Sequence, residues 1–282
     1  MNNGIVFWNG DFLPLEKVHV SPFDRGFLFG DGVYELIPFY HKTPLSLDGH
    51  LSRLQTSLES VNIENPYDKE IWKKYITELV DYSKHEDTYA YLQVTRGVAP
   101  RDHAYPKNIK PSVFMYTDEL SHITDEQASK GFQAITLEDF RWLKCNIKSI
   151  SLIGNVLLRQ EAIEGGYDEA ILIRDDVVTE GAASNVFAVV NKTIVTPKNS
   201  NFLLPGITRD IVIEIAEKNS FPCEQKNITK NELLSAEEIF LTSSGKGVMP
   251  VTRINGKNVG AGLAGKQTLS IAGLYKDHCE AL

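Results

Sequence analysis

The chain has 282 residues, of which 42% are hydrophobic and 23% are charged, and its formal net charge is −8. This length suits two modest domains or one large domain, and the composition is that of an ordinary globular protein with a sizeable core. An acidic chain is a poor candidate for binding nucleic acid or an anionic membrane, although a local arginine cluster can still hold an anionic substrate.

The start of the chain, its apolar runs and its cysteines argue against secreted, membrane-spanning, zinc-binding and disulfide-bonded proteins. No basic stretch followed by an apolar one opens the sequence, so we expect no signal peptide, and no apolar run is long enough to span a bilayer. Cys145, Cys223 and Cys279 are widely spaced and form neither a zinc-binding pattern nor a disulfide framework. We therefore expect a cytoplasmic protein without a metal site.

The first half of the chain predicts an α+β domain. Asn9-Gly10 marks the turn of a hairpin, and apolar residues at steps of four and three over 47–61 mark one face of a helix that Asp48 would cap. A second helix follows Asp68. Strands are predicted within the hairpin at 5–15 and also at 32–41, 88–97 and 111–117. The turn Lys42-Thr43-Pro44 closes the strand at 32–41. This order of elements is typical of an α+β layer pair.

The second half predicts a strand-rich domain with helices outside it. The polar segment 117–127 joins the two halves, so we predict domains at 1–119 and 120–282. Helices are predicted at 152–163 and 206–219, and strands at 132–140, 169–175, 185–190, 193–197, 238–244 and 247–254.

Lys148 and Glu180 are the first candidates for chemistry. Lys148 lies between Ile147 and Ile150, and apolar surroundings favour the neutral, nucleophilic form of a lysine. Most lysines, however, only solvate a surface. Glu180 precedes the small residues Gly181-Ala182-Ala183, which would let a flat ring approach the backbone, and its carboxylate would keep a ring nitrogen protonated. An exposed turn glutamate is the ordinary alternative.

Two further segments suit the binding of anions. A helix begins in LLPGITRD (203–210), and its first amides lack intrahelical partners. These amides and the Thr208 hydroxyl suit a phosphate. The ordinary alternative is that Thr208 only caps the helix. SSGKG (243–247) offers more donors. The loop VTRGVAPRDHAYP (94–106) carries arginine and histidine side chains that suit a carboxylate, or it is a solvated basic loop. Together with Lys148 and Glu180, these are the parts that pyridoxal 5'-phosphate chemistry on an amino acid needs.

Six motifs resemble those of the class IV (fold-type IV) aminotransferases, and within them the bacterial D-amino-acid aminotransferases. They are DRGFLFGDGVYE (24–35), HLSRL (50–54), QVTRGVAPRDHAYP (93–106), RWLKCNIKS (141–149), TEGAASNVF (179–187) and GITRD (206–210). The lysine, glutamate and GITRD motifs are typical of the whole family, and the Pro-Arg-x-His segment at 100–103 is typical of the D-enzymes. The resemblance extends over nearly the whole chain.

The resemblance implies a role for each candidate residue. Lys148 would form the internal aldimine and move the substrate proton, and Glu180 would hold the pyridine nitrogen. The phosphate would be held by Arg53, the amides of Ile207 and Thr208, the Thr208 hydroxyl and Ser244. The substrate carboxylate would be held by Tyr34, Arg101 and His103, and Leu204 would lie behind the coenzyme ring.

The resemblance also implies a fold, an assembly and a reaction. It implies an α+β N-terminal domain, a strand-rich, barrel-like C-terminal domain with the site between them, and a homodimer. The reaction would be a ping-pong transamination between D-amino acids such as D-alanine and 2-oxo acids such as 2-oxoglutarate. An L-branched-chain aminotransferase or an aminodeoxychorismate lyase is the alternative, which Pro-Arg-x-His disfavours. A protein that binds the coenzyme or another phosphate without turnover is a third, which the lysine–glutamate pair disfavours.

The sequence departs from the D-enzyme pattern in two places. Ala182-Ala183 replaces a serine-rich stretch, which removes a hydroxyl near the coenzyme. SSGKGVMPV (243–251) replaces a run rich in threonine and serine, which leaves Lys246 without a role. Both departures concern site detail and substrate preference.

Overall fold

A computed structural model describes residues 4–282, so the first three residues of the stretch searched for a signal peptide lie outside the described chain. The chain divides into two compact units. The first unit runs up to Leu120 and also includes Ile147–Leu152 and Leu282, and the second comprises Ser121–Asn146 and Ile153–Ala281. The predicted boundary lay at 119/120, and the sequence pattern did not indicate that Ile147–Leu152 belongs with the first unit.

The first unit is an antiparallel sheet with two helices packed on one face. Its elements are β1 (Ile5–Trp8), β2 (Asp11–Pro14), α1 (Arg25–Phe29), β3 (Gly32–Tyr40), β4 (Thr43–Pro44), α2 (Leu47–Ser60), α3 (Lys69–Asp81), β5 (Thr88–Thr95) and β6 (Ser112–Glu119). The strands lie in the order β2-β1-β6-β5-β3-β4, and every neighbouring pair is antiparallel. Alternate residues of the strands point to the core, where they meet the apolar faces of α2 and α3.

Two local predictions in this unit were wrong. Helix α2 begins one residue before Asp48, after Ser46, whose backbone is left-handed (φ 53°) and whose side chain makes no cap bond. Asp48 lies in the first turn instead, where its carboxylate pairs with lysines of α3. The turn after β3 is made by His41 and Lys42 (φ 48° and 65°), so Thr43–Pro44 is already strand β4. The helix predicted after Asp68 is confirmed as α3, and the Asp68 side chain caps it by accepting from Ile71 N at 2.9 Å.

The second unit is built on a nine-stranded mixed sheet. Its elements are α4 (Asp125–Lys130), β7 (Phe132–Glu138), α5 (Ile153–Glu164), β8 (Glu169–Arg174), β9 (Val177–Gly181), β10 (Asn185–Val190), β11 (Thr193–Thr196), α6 (Ile207–Lys218), β12 (Cys223–Gln225), α7 (Lys230–Leu234), β13 (Glu238–Ser243), β14 (Gly247–Ile254), β15 (Lys257–Asn258) and α8 (Lys266–Glu280). The order is β12-β11-β10-β13-β14-β7-β8-β9, with β15 paired to β14. Only β11/β12, β14/β7 and β7/β8 are parallel among the described strands.

The predicted fold class is confirmed: both units combine helices and sheets, and the second is richer in strands. The six strands predicted for the second half are all present, and the predicted helices match α5 and α6 within one residue at each end. Helices α4, α7 and α8 and the short strands β12 and β15 were not predicted. Within residues 4–282 no helix combines the length and the hydropathy that crossing a membrane requires.

Candidate active site

Lys148 lies in a segment of the first unit that pairs with the start of β3. Tyr34 N donates to the Lys148 carbonyl at 2.9 Å, and Ile150 N donates to the Gly32 carbonyl at 3.0 Å. Lys148 N lies 3.3 Å from Ser57 Oγ of α2. The backbone of the segment is therefore fixed on both sides of the lysine, and the side chain projects from a rigid base.

The amine of Lys148 lies over an aromatic ring. Its Nζ is 4.1 Å from the centroid of the Tyr34 ring, which in turn stacks on Tyr91 with centroids 5.7 Å apart. Lys148 and Tyr34 are both half-buried. The structure thus brings together two of the predicted site residues, one assigned to the coenzyme and the other to the substrate.

Arg53 lies in a buried polar network. Its Nε and Nη2 donate to the two oxygens of Glu35 at 2.8 and 2.7 Å, and His50 Nδ1 lies 2.7 Å from Glu35 Oε2. Burial acts to raise the pKa of Glu35, but Arg53 and His50 outweigh it and the pKa falls to about 2. Burial also lowers the pKa of His50, so the imidazole is neutral at pH 7. This network fixes the Arg53 guanidinium, while its contact with a phosphate stays a prediction.

Arg101 and His103 meet at one aromatic side chain. Arg101 Cζ lies 5.3 Å from the centroid of the Phe29 ring, and the His103 ring lies 5.5 Å from the same centroid. Both residues are exposed in the loop between β5 and β6. Tyr34, the third residue predicted for the carboxylate, lies against Lys148, and its contact with a carboxylate stays a prediction.

Glu180 of β9 is buried in the second unit, where it accepts several hydrogen bonds. Arg141 Nη1 donates to Oε1 at 2.7 Å, Leu204 N donates to Oε2 at 2.9 Å, and Asn185 Nδ2 lies 3.5 Å from Oε2. Burial raises the pKa of Glu180 to about 7, against the lowering effect of Arg141 and the Leu204 amide. A carboxyl group of this kind can hold or release a proton near neutral pH.

Arg141 and Asp139 support Glu180 and were not predicted. Arg141 Nε and Nη2 donate to the two oxygens of Asp139 at 2.9 and 3.0 Å, and Thr179 Oγ1 donates to Asp139 Oδ2 at 2.8 Å. All four side chains are buried. Arg141 stands in the same motif as Lys148, and Thr179 is the first residue of the motif that contains Glu180, whereas Asp139 belongs to no motif.

The N-terminus of α6 carries a buried hydroxyl group that could bind an anion. Thr208 Oγ1 is buried and has no hydrogen-bond partner among residues 4–282. Gly206 precedes the helix without a side-chain cap, and a Cβ added there would lie 2.0 Å from Asn185 Oδ1, so this close approach requires glycine. Asn185 Nδ2 also donates to the Leu204 carbonyl at 2.9 Å, which joins this turn to β10.

A second buried hydroxyl lies on β13, which packs against α6. Thr242 Oγ1 has no hydrogen-bond partner within the described chain. Thr242 was not predicted, although it adjoins Ser243 in the sequence. The predicted Ser244 is half-buried in the turn that follows, and Lys246 Nζ lies 5.9 Å from the Phe132 ring.

These groups fit pyridoxal 5'-phosphate. Free amides at a helix N-terminus and buried hydroxyls without partners suit a phosphate group. A buried carboxyl group whose pKa is about 7 suits a ring nitrogen that shares its proton. The predicted residues Ile207, Thr208, Glu180 and Leu204 all lie in the second unit around Asn185 and the start of α6, and Lys148, Tyr34, Arg53, Arg101 and His103 lie in the first.

Comparisons with known proteins agree with this chemistry. The pattern of the family described as amino-transferase class IV matches residues 32–254. A D-alanine aminotransferase of Bacillus licheniformis is 42% identical over 266 residues, with 94% of each chain covered, and one of Staphylococcus epidermidis is 39% identical over 264 residues, with 93% of each covered. A branched-chain amino acid aminotransferase of T.th., solved with pyridoxamine 5'-phosphate, has a TM-score of 0.94 at 26% identity over 100% of this chain and 95% of its own.

Proposed function

The chain belongs to the class IV aminotransferases, and from this membership we propose that it transfers amino groups between D-amino acids, such as D-alanine, and 2-oxo acids, such as 2-oxoglutarate. Identity of 34–42% with several D-alanine aminotransferases, over nearly the whole chain, carries the proposal. The pairing of Arg101 and His103 on the Phe29 ring supports it, because both belong to the segment that is typical of D-enzymes.

The coenzyme would be pyridoxal 5'-phosphate, which when bound acts as the electron sink for bond breaking at the substrate Cα. Lys148 Nζ would accept the Cα proton and later return it, since an amine on a fixed backbone can act as base and then as acid. Glu180 would share its proton with the ring nitrogen, and Leu204 would pack behind the ring. The phosphate would be held by Arg53, the amides of Ile207 and Thr208, the Thr208 hydroxyl and Ser244.

The substrate carboxylate would be held by Arg101, His103 and Tyr34. A guanidinium fork and an imidazole can together hold both carboxylate oxygens. The two enantiomers differ in where their carboxylate lies when the Cα–H bond points at Lys148. The position of the carboxylate-binding residues therefore selects one of them. If the carboxylate lies at Arg101 and His103, only one enantiomer presents its hydrogen to the amine, and for relatives of the D-alanine enzymes that enantiomer is D.

We expect the purified enzyme to turn over D-alanine with 2-oxoglutarate and to leave L-leucine nearly unused. Arg101→Ala should lower kcat/KM for D-alanine by about 10- to 100-fold, because it removes a charge-assisted contact. His103→Ala should lower it less, since an imidazole ring presents a single donor to the carboxylate where a guanidinium fork presents two. Steady-state kinetics with both amino acids measure this, and Lys107→Ala, an exposed cation of the same loop, is the control. A preference for L-leucine, or intact D-alanine kinetics in Arg101→Ala, would contradict the proposal.

A branched-chain L-amino-acid aminotransferase is the second candidate. The T.th. enzyme shares the fold at a TM-score of 0.94, but its identity of 26% is well below that of the D-alanine enzymes. The same substrate panel separates the two, because only the second candidate would prefer L-leucine.

We propose a homodimer on the basis of an exposed apolar face. Helix α5 leaves Ile153, Val156 and Leu157 more than half exposed, at 73%, 56% and 54%. A cluster of this kind is unusual on a monomer and suits a second copy of the chain. Light scattering should give twice the monomer mass, and Leu157→Glu should shift the protein toward monomer whereas Glu161→Gln on the same helix should not. A wild-type monomer would contradict the proposal.

We also propose a cytoplasmic location. The reason is the sequence: three widely spaced cysteines without a disulfide framework suit a reducing compartment. Fractionation of cells that produce the protein would test it.

A further inference from the structure

The loop that carries Arg101 and His103 is exposed, yet its backbone is held by the buried side chain of Arg25. Arg25 Nη1 donates to the carbonyls of Asp102 at 2.5 Å and Ala104 at 3.4 Å, and Nη2 donates to that of His103 at 3.4 Å. One guanidinium therefore binds three successive carbonyls of an otherwise solvated segment. The planar fork of arginine holds its donors in fixed directions across this span, whereas a lysine carries all of its donors on one nitrogen at the end of a flexible stem.

Arg25 is itself fixed by an ion pair. Its Nε donates to Asp31 Oδ2 at 2.8 Å, and Arg96 donates to both oxygens of Asp31 at 2.7 and 2.9 Å. Burial acts to raise the pKa of Asp31, but the two arginines outweigh it and lower that pKa, so Asp31 is ionised at pH 7. Arg96 also lies over the Tyr105 ring, 3.7 Å from its centroid, near the end of the same loop.

The Phe29 ring adds a second contact to the same side chains. Arg25 Cζ lies 4.8 Å from its centroid, in addition to the contacts of Arg101 and His103. A flat ring that touches all three limits the directions in which Arg101 and His103 can point. Phe29 belongs to helix α1, whose end at Gly30 leads directly to Asp31.

We propose that Arg25, fixed by Asp31, is a positioning residue for the substrate carboxylate, and that Phe29 acts with it. Arg25 sets the backbone of residues 102–104, and this backbone aims the side chains of Arg101 and His103. A displacement of about 1 Å at a binding group is enough to lose much of its contribution. The inference rests on the proposed function and extends its substrate site to residues that do not touch the substrate.

The start of the loop, at residues 97–99, is held by backbone bonds and not by the Arg25 side chain. Arg25 N donates to the Gly97 carbonyl at 2.9 Å, and Ala99 N donates to the Phe23 carbonyl at 3.3 Å. Asp31 accepts two bonds from Arg96, and these do not involve Arg25, so we expect them to persist when Arg25 is changed. A substitution at Arg25 should therefore loosen residues 101–105 without unfolding the unit.

The test compares Arg25→Lys with Arg253→Lys in the coenzyme-loaded enzyme. Arg253 is an exposed arginine that also donates to a backbone carbonyl, that of Gly256 at 2.8 Å. In Arg25→Lys we expect KM for D-alanine and 2-oxoglutarate to rise about tenfold, as for the loss of a charge-assisted hydrogen bond, with kcat and coenzyme affinity close to wild type. Arg253→Lys should leave all of these unchanged.

Amide hydrogen exchange on the coenzyme-free protein gives a readout that does not depend on activity. Exchange at residues 101–105 should be about tenfold faster in Arg25→Lys and unchanged in Arg253→Lys. Phe29→Leu keeps the Arg25 bonds but removes the ring, so it should raise KM without faster exchange. This pair of variants separates the fixing of the backbone from the aiming of the side chains.

Either of the following results would overturn the inference: KM in Arg25→Lys equal to that of Arg253→Lys, or exchange at 101–105 equal to wild type. A general loss of stability would show as faster exchange throughout the first unit and would also overturn it. A wild-type enzyme without transaminase activity would overturn the proposed function, and with it the substrate part of this inference. Normal activity with unaltered Arg25→Lys kinetics would overturn this inference alone.

Discussion

Lys148→Ala should lose covalent retention of the coenzyme and nearly all transamination, with the fold retained. The base and acid steps assigned to Lys148 Nζ are worth about 10²–10⁴-fold by themselves. The fold should survive because the segment is held by backbone bonds to β3, which alanine keeps. Mass spectrometry after borohydride reduction measures covalent retention, and steady-state kinetics measure the rate.

Lys144→Ala is the matched control for this change. Lys144 is an exposed lysine four positions earlier in the same motif, and the proposal gives it no part in the chemistry. It should behave as wild type in both measurements. Near-normal turnover by pure Lys148→Ala, with no amine added, would show that another group moves the proton.

Glu180→Gln should lower the rate far more than the occupancy of the coenzyme. An amide has the shape of the carboxyl group, and its one oxygen can still accept from Arg141, so the site should stay largely assembled. It cannot hold a proton for a ring nitrogen, and loss of one such group in a preorganised site lowers the rate by about 10²–10³-fold. Kinetics at saturating coenzyme measure the loss, and Glu138→Gln, an exposed glutamate of β7, is the control. An unchanged rate would mean that Glu180 has only a structural role and takes no part in the reaction.

In the coenzyme-free protein, Glu180 should also make the free energy of unfolding depend on pH. The pKa of Glu180 is raised to about 7 in the folded state, above the usual 4.5. Its protonated form therefore contributes stability that is complete below pH 4.5 and is lost as the pH rises through about 7. The loss is about 3 kcal/mol in the free energy of unfolding. Urea denaturation from pH 4.5 to 8 should show this decline in wild type, and Glu180→Gln should lack it.

Elements with an apolar stripe and a clear end could be predicted from the sequence. Isoleucines at 207, 211 and 215 and a preceding Pro-Gly located α6 within one residue at each end. Helix α8 has no such pattern, because the face it buries is Thr268, Ile271, Tyr275 and Cys279, which mixes polar and apolar side chains. That face becomes visible only when it is known what packs against it.

The candidate site was predictable to a similar degree. Residues inside family motifs, such as Lys148 and Glu180, could be named from the chain. The ion pairs that fix them could not, because a sequence shows which residues are charged but not which charges meet. Arg141 and Glu180 are 39 positions apart, and nothing in either motif names the other as partner. The structure gives a setting for one of the two alanines that replace the serine-rich stretch. Ala182 is buried just after β9, where its amide donates to the Ala170 carbonyl.

The membership of Ile147–Leu152 in the first unit has a consequence for synthesis on the ribosome. All six strands of that unit, and both of its long helices, have been synthesised by residue 120, but Ile147 of its core and the backbone partners of Tyr34 and Gly32 have not. Until residues 147–152 are made, the start of β3 lacks these backbone partners and the core of the unit lacks Ile147. Domains generally fold in the order of their synthesis. The segment that carries Lys148 is therefore added after all six strands and both long helices of its unit have been made.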